Sequence, residues 1–578
     1  MALIRHIKVE NFRSIRTAEW YPKSGLNCLI GPGDSGKSSL LDAIDLVLGA
    51  RRSYPFSDAD FHQMNTNTPI KITATIGALD EELKNLEAYG YFFRGFDAAR
   101  KQINDEPGQN DEVVLTIQLI VNKDLEPDWL LCSARAAESG IERRLQWKHR
   151  ELIAPTRLGA TANHHLAWGS RSILNKLSEE TFDVSSILAQ LSRKTREGFA
   201  EQELPELAGV LGQVKVIANS LGVPVGELKA LLDVNGVSLT NGAISLHNTD
   251  NTPLRQLGTG SSRLLISGLQ KAASKSKVII VDEAEYGLEP YRITRLLNEL
   301  GSKDSNPVRQ VFITTHSPYV LRELQASQLH VLRKLKVLPN EAPSLNSHSI
   351  FNLEGSDIEQ ATLRACAEAF FSKAVIVGEG STEIGLIRGW DLYCQEHSNP
   401  GFHGVGVFCA DGGGDSCFKR AEVFASLGYP TAIIKDSDIP HSSHQLQTEQ
   451  CLAKGIFIVE WGHGMSTEKA IFSWCPLNII PQILQMIVAL NGEQEVDQHI
   501  RNVSGNILNL QMCTAPVDDS VRQPLAEAAG KYKWIKNIAK AEQLTRQILF
   551  PNYLGFSEQF KTAIVNLYQW TTQNGDPR

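Results

Sequence analysis

The sequence predicts an α/β protein built as two successive α/β units, the first of them split by a helical insert. Three observations lead there. The chain has 578 residues, more than one ordinary core holds and enough for roughly two to four domains. Between residues 25 and 316 short apolar strand patterns stop at glycine-rich or polar turns, with helical spacing between them. The same rhythm restarts at Ala374 and runs to Val459, and strands that alternate with helices form parallel sheets.

Each element follows from its local pattern. Leu3–Val9 and Gly25–Ile30 are expected strands, followed by a glycine-rich loop at Gly31 and a helix over Lys37–Leu48. Ile70, Ile72, Ala74 and Ile76 alternate with polar residues, as do Leu115, Ile117 and Leu119, which predicts half-buried antiparallel strands on the first unit. From about Ser170 the spacing of Leu174, Leu177, Ile187, Leu188 and Leu191, and then of Leu207, Val210, Leu211 and Val214, is helical. Strand-like sequence returns over Val237–Leu246. A glycine turn at Gly258, a helix, and the strands Val278–Val281 and Val311–Thr314 follow. Pro339–Ser349 reads as a linker. The second unit has expected strands at Ala374–Val377, Val405–Phe408, Thr431–Ile434 and Ile456–Val459, and roughly the last hundred residues read as mainly helical. The expected divisions are 1–169 and 236–345 for the two parts of the first unit, 170–235 for its insert, and 365–578 for the second unit.

Composition excludes several classes. With 42% hydrophobic and 21% charged residues, the chain is neither disordered nor collagen-like. The most apolar stretch, Ile479–Leu490, is short and broken by Gln482 and Gln485, so no membrane span is expected. The start, MALIRHIKVENF, mixes charges with apolar residues and lacks a secretory core. Nine cysteines occur without a CxxC pair or regular spacing, which fits a reduced cytoplasm and disfavours structural zinc. A net charge of −8 means that any nucleic acid must be held by local patches or metal ions.

Gly31-Pro-Gly33-Asp34-Ser35-Gly36-Lys37-Ser38, continued by Ser39, fits the phosphate-loop pattern between a strand and a helix. Backbone N–H groups and the helix N-terminus would wrap ATP phosphates. Lys37 would reach the β- and γ-phosphates, and Ser38 would ligate Mg²⁺. The strand Val278–Val281 ends in Asp282, placed to hold Mg²⁺ through water, and Glu283, placed to polarise the attacking water. Ile313-Thr-Thr-His316 brings a polar residue to the same sheet edge, where His316 could sense the γ-phosphate. Leu257-Gly-Thr259-Gly260-Ser261-Ser-Arg263 lies between these elements. This loop resembles the signature loop of ABC-type ATPases, which contacts ATP held by a partner subunit.

Together with Asn11-Phe12-Arg13-Ser14, these elements resemble the ABC ATPases of the SMC and RecF type. The resemblance implies a glutamine loop, with Gln63, Asp58 and Asp60 as the candidates.

A second acidic set begins where Ala374–Val377 runs into Gly378-Glu379-Gly380-Ser-Thr-Glu383, and continues at Asp436 and Asp438 beyond Thr431–Ile434. Both groups fall at the C-terminal edge of one parallel sheet, where α/β proteins place their sites. Converging carboxylates repel unless cations neutralise them, and hard oxygen ligands suit Mg²⁺ or Mn²⁺. This set resembles a TOPRIM domain, the Rossmann-like fold shared by topoisomerases, primases and certain nucleases, with Glu379 as its glutamate and Asp436/Asp438 as its DxD. Glu468, opening a helix, is a further metal ligand or a helix N-terminal charge. Lys533, in Lys531-Tyr-Lys533-Trp-Ile-Lys536, either steadies a transition state or belongs to a cluster that tracks phosphates. Asp411-Gly412-Gly413-Gly414 is a tight turn that gives backbone clearance.

An ABC-type ATPase followed by TOPRIM resembles the architecture of the OLD family of nucleases, which includes the nuclease subunit of Gabija antiphage systems. The resemblance implies a metal-dependent DNA endonuclease governed by ATP and active in antiphage defence. The 170–235 insert would serve dimerisation in a homodimer or larger even assembly. By the same analogy a helicase-like or reverse-transcriptase-linked partner is expected. Arg143/Arg144 and Lys148/Arg150 could contact a DNA backbone or form charged faces. The rival readings are a non-nucleolytic RecF- or SMC-like repair ATPase, which does not need Glu379, Asp436 and Asp438 together, and a primase or topoisomerase.

Overall fold

The structure, a computed structural model, describes residues 2–158, 190–191, 193–195, 197–198, 256–273, 276–334, 348–438, 441–462, 464–514 and 517–576. Almost all of the expected 170–235 insert, the strand-like stretch Val237–Leu246 and most of the Pro339–Ser349 linker lie outside these residues.

The first described unit carries thirteen strands in two sheets. In chain order they are β1 (Leu3–Phe12), β2 (Ile15–Trp20), β3 (Gly25–Ile30), β4 (Ile70–Gly77), β5 (Phe93–Asp97), β6 (Gln102–Asn104) and β7 (Glu112–Val121). Then come β8 (Pro127–Leu131), β9 (Thr156–Leu158), β10 (Val278–Val281), β11 (Gln310–Thr314), β12 (Leu329–Lys334) and β13 (His348–Asn352). One sheet is antiparallel, in the order β2-β1-β4-β7-β5-β6, with β8 on β7. The other has the order β13-β12-β3-β11-β10-β9 and is parallel except for β13 at its edge.

Helix Lys37–Leu48 lies between the two sheets because its apolar residues cover most of its circumference. Leu40, Leu41, Ala43, Ile44, Leu46, Val47 and Leu48 are all buried, and they share a core with Ile7, Val9 and Ile72 of one sheet and Ile280, Phe312 and Leu332 of the other. A helix with so broad an apolar surface must be enclosed. This fixes the phosphate loop, which immediately precedes the helix, at the sheet edge.

Strands β14 (Ala374–Gly378), β15 (Val407–Asp411), β16 (Thr431–Lys435) and β17 (Phe457–Glu460) form a second parallel sheet, ordered β15-β14-β16-β17. Its β15 starts two residues after the Val405 expected from the sequence. His403–Val405 is a 3₁₀ turn ended by Gly406 at φ 77°, a left-handed conformation that only glycine adopts without strain.

The two units are not strung on a free linker. The first sheet extends through Asn352, past the boundary expected at 345, because β13 pairs with β12. Leu363, Ala367, Ala369 and Phe370 then continue one apolar core from Ile279, Val311 and Val331 to Val375, Val377 and Ile433. Helices Ser381–Glu396, Thr467–Trp474, Ile480–Asn491, Arg522–Tyr532 and Glu558–Asn574 cover the far face of the second sheet. Among the described residues no single helix is long and apolar enough to cross a membrane.

Candidate active sites at two sheet edges

The phosphate loop needs glycine at its ends. Gly36 caps helix Lys37–Leu48 at φ 92°, and a Cβ there would lie 2.9 Å from Ser14 Oγ. A Cβ on Gly31 would lie 2.2 Å from the Leu332 carbonyl oxygen. Lys37 is 6% exposed, and its Nζ donates to the carbonyls of Gly31 at 3.1 Å and Pro32 at 3.0 Å and to Ser35 Oγ at 3.4 Å. Burial lowers its pKa, against the opposing pull of Asp34 and Asp282.

Ser38 Oγ donates to Asp282 Oδ1 at 3.4 Å, so the phosphate-loop hydroxyl and the strand-end carboxylate meet. Arg157 Nη2 holds Asp282 Oδ2 at 3.3 Å, and the Thr314 hydroxyl donates to Oδ1. Arg157 also pairs with Asp42 at 2.5 Å, as does Arg13, which reaches Asp60 at 3.0 Å. Arg13 thus anchors the helix behind the phosphate loop. Asp60 is spent on that anchor, whereas Gln63 and Asp58 are exposed, Gln63 at φ 53°.

Glu283 is exposed, with its backbone at φ 49°. A positive φ at a non-glycine residue persists only where its surroundings fix the backbone. Its N–H donates to Thr314 Oγ1 at 2.8 Å, and the buried Arg263 binds the carbonyls of Asp282, Glu283 and Tyr286 at 2.9, 2.8 and 2.7 Å. Glu285 accepts from Thr315 Oγ1 at 2.6 Å and from the His316 N–H at 2.7 Å. Arg263 and Glu285 are therefore the groups that shape this edge and that motif spacing did not single out. His316 is exposed and faces the Phe371 ring at 6.2 Å, where the second unit begins. Thr259, Gly260 and Ser261 open helix Thr259–Ala273. Gly260 packs so tightly on Gly287 that a Cβ would lie 2.4 Å from its carbonyl oxygen, and Ser261 Oγ accepts from Arg292 at 2.8 Å.

At the second sheet edge, Glu379 ties two strand ends together. Its N–H donates to the Ile434 carbonyl at 2.9 Å, and its Oε2 accepts from the Asp436 N–H at 2.9 Å. Gly412 and Gly414 donate to the carbonyls of Gly378 at 2.7 Å and Glu379 at 2.8 Å, and a Cβ on Gly412 would clash with the Gly378 carbonyl at 2.4 Å. The glycine run is clearance around Glu379. Glu383 accepts from the Gly380 N–H at 2.9 Å and from Thr467 Oγ1 at 2.5 Å. Asp436 Oδ1 accepts from the Thr467 N–H at 2.8 Å and lies 2.9 Å from Thr467 Oγ1, and Glu468 accepts from Thr382 Oγ1 at 2.9 Å.

Glu383 is 3% and Glu468 4% exposed. Burial pushes the Asp436 carboxyl far above its ordinary range, and Glu383, Glu468 and Glu379 add to the shift; burial likewise raises Glu383 and Glu379. The buried Lys435 sits beside them, with Nζ 3.0 Å from Glu460 Oε2 and 3.0 Å from the Asp436 carbonyl. Four acids against one such lysine form an oxygen-only, anion-rich set that fits hard divalent cations. The acids face one another through Thr467 and Thr382; among the described residues no three His, Cys, Asp or Glu side chains are already gathered as a coordination shell.

Asp438 stands exposed at the cluster's edge, close enough for its charge to raise the Glu379 pKa. Lys533 is exposed at φ 53° at the end of helix Arg522–Tyr532 and makes no side-chain hydrogen bond to the acids. Its aromatic neighbours are engaged within the fold: Trp534 is buried, and Tyr532 stacks on His499 at 3.7 Å. Arg144 pairs with Asp128 at 2.7 Å, Arg143 donates to the Ala88 carbonyl, Lys148 lies 3.8 Å from Glu82, and Arg150 caps the carbonyls of Gly49 and Arg51 at 2.6 and 3.0 Å.

Raised carboxylate pKa values have a direct consequence for stability. The folded state binds protons more tightly than the unfolded chain at Asp436 and Glu379, so the contribution of these two carboxyls to stability is greatest at acid pH and is lost as pH rises through the neutral range. In chelator, these carboxyls are expected to pull the melting temperature down as pH rises from about 5 to 8, against the opposite contribution of the buried His330 and His348 below about pH 6.5. Asp436→Asn is expected to flatten that slope. An unchanged slope in scanning calorimetry would contradict the assignment of these shifts.

Comparison with known proteins gives matches over both units. The family described as "AAA domain, putative AbiEii toxin, Type IV TA system" matches residues 26–322. The family described as the TOPRIM domain of overcoming lysogenization defect-like proteins matches residues 370–438. The chain is 25% identical over 470 residues to an OLD nuclease of Thermus scotoductus, a match that covers 76% of this chain and 82% of that protein. A shorter match, 44% identical over 54 residues, is to the DNA replication and repair protein RecF of Nitrosococcus oceani, covering 9% of this chain and 15% of RecF. Among solved structures, an SMC head domain from Pyrococcus furiosus bound to the C-terminal domain of ScpA aligns with 61% of this chain and 96% of its own, at 14% identity and a TM-score of 0.33. The SMC head domain of Thermotoga maritima aligns with 61% of this chain and 99% of its own, at 14% identity and a TM-score of 0.27.

Proposed function

We infer, from the premise that the chain belongs to the AAA-domain family and carries an OLD-like TOPRIM domain, that it is an ATPase-linked nuclease whose substrate is DNA. The observation that carries the nuclease half is the facing of Glu379, Glu383, Asp436 and Glu468 across one sheet edge. A repair ATPase without nuclease activity has no use for that arrangement.

At the first edge the phosphate-loop N–H groups and Lys37 bind the ATP phosphates. Ser38 and Asp282 would hold the nucleotide's divalent ion, and Glu283 would take the proton of the attacking water. His316, just beyond β11, would contact the γ-phosphate. At the second edge Glu379, Glu383, Asp436, Asp438 and Glu468 would hold Mg²⁺ or Mn²⁺. Divalent ions bound there would supply activation of water and stabilise the attacking and leaving oxygens of a phosphodiester. The residues of the chain orient those acids, and Lys435 offsets part of their charge. Lys533 would meet the DNA phosphate from the neighbouring helix end. The continuous core between the two sheets supports coupling of nucleotide state to the nuclease edge, and the OLD resemblance supports a role in antiphage defence.

The test is incubation of supercoiled plasmid with the protein and Mn²⁺. Nicked or linear DNA is expected, none in chelator, and no new strand synthesis when deoxynucleotides are added. Intact plasmid together with strand synthesis would favour a primase.

Thr259 and Ser261 stand at the accessible start of their helix, where a second copy can bring its own nucleotide. Light scattering with ATP is therefore expected to give a dimer or larger even assembly, and a monomer at micromolar concentration would contradict this.

A further inference from the structure

Thr467 is fully buried and touches both sides of the acid cluster. Its Oγ1 lies 2.5 Å from Glu383 Oε1 and 2.9 Å from Asp436 Oδ1, and its N–H donates to the same Asp436 oxygen at 2.8 Å. Trp461 Nε1 donates to Thr467 Oγ1 at 2.6 Å. Trp461 is itself 2% exposed and stacked on Phe560 at 5.5 Å and 7°. A hydroxyl has one hydrogen and two lone pairs. One lone pair accepts from Trp461, and the backbone N–H already serves Asp436. The hydrogen therefore goes to Glu383, which makes the shorter contact.

We propose that Thr467 is a positioning residue of the nuclease centre: its hydroxyl, pinned by Trp461, fixes how Glu383 and Asp436 present their carboxylates to a divalent cation. This rests on the reading of those acids as metal ligands. Without the hydroxyl, Glu383 keeps the Gly380 N–H on Oε2 but loses the donor that holds Oε1 toward Asp436. Hydrogen bonds to metal-ligating carboxylates typically change metal affinity by about 10–100-fold.

The experiment titrates Mn²⁺ alone, without nucleotide, into the full chain by calorimetry, and follows plasmid nicking against Mn²⁺ concentration. Thr467→Val keeps the shape of the side chain. It is expected to weaken Mn²⁺ binding about 10–100-fold and to move the nicking curve to higher Mn²⁺ by the same factor, with a plateau near wild type. Thr467→Ser keeps the hydroxyl and should stay near wild type. Trp461→Phe keeps the stacking and loses only the pinning N–H, so it should shift the curve in the same direction by less, and it serves if the valine variant folds poorly. A purely structural role would lower the melting temperature or the plateau and leave the Mn²⁺ midpoint in place, and that result would overturn the proposal. So would a serine variant as weak as the valine one. Failure of the underlying reading looks different: Asp436→Ala would then bind Mn²⁺ as wild type does.

Discussion

Glu379→Ala is expected to lower Mn²⁺-dependent DNA nicking by about three orders of magnitude, because a catalytic metal contributes several kcal/mol and each 1.4 kcal/mol is tenfold in rate. Glu379 is both a metal-facing acid and the brace between β14 and β16, through its contact with the Asp436 N–H. Removing it strips one carboxylate and leaves Asp436 without its partner strand's clamp. Folding should survive. The side chain stands at a strand end among like charges, so its loss relieves repulsion as it deletes a hydrogen bond. ATP hydrolysis should stay within about twofold of wild type, since the substitution removes no ATP-binding side chain and lies on the other sheet. Nicking near the wild-type rate in Glu379→Ala would remove this acid from the nuclease centre.

Lys37→Ala is expected to weaken ATP binding by about 100-fold or more, because charge-assisted contacts to phosphate are among the stronger hydrogen bonds. Lys37 is the buried ammonium of the loop, and its Nζ already rests on the carbonyls that frame the phosphate cradle. Glu283→Gln separates binding from chemistry. It keeps the side chain's shape and loses its basicity, so nucleotide affinity should hold while phosphate release falls by about 10²- to 10⁴-fold. Isothermal titration with ATP and a phosphate-release assay on both variants check the pair. Wild-type turnover in Glu283→Gln would exclude Glu283 as the base.

Much of both sites is legible in the sequence because their acids end strands whose pattern is local. Gly25–Ile30 and Lys37–Leu48 fold with the bounds their apolar spacing dictates, and Asp282 and Asp436 follow strands that are apolar throughout in β10 and between the polar ends Thr431 and Lys435 in β16. What the pattern leaves out depends on partners far away in the chain. Arg263 binds the acidic turn from a helix that reads as a signature-like loop, Glu285 meets Thr315 across two strands, and Thr467 reaches Glu383 over 84 positions. No local periodicity marks a hydroxyl for that use. Lys435 reads as one more strand residue until its burial beside the acids is seen. The edge strand β13 begins inside a stretch with the look of a linker, and among the described residues it pairs with β12 alone. The start of β15 is displaced by a backbone need at Gly406 that hydrophobicity does not register.

The central claim is that two chemistries sit on two sheets of one chain, and it is tested most directly by Asp436→Ala measured in two assays on one preparation. Supercoiled-plasmid nicking at saturating Mn²⁺ should be lost, while ATP-derived phosphate release continues close to the wild-type rate. Nicking that persists at the wild-type rate in Asp436→Ala would contradict the account and leave an ATPase without a nuclease centre at this edge.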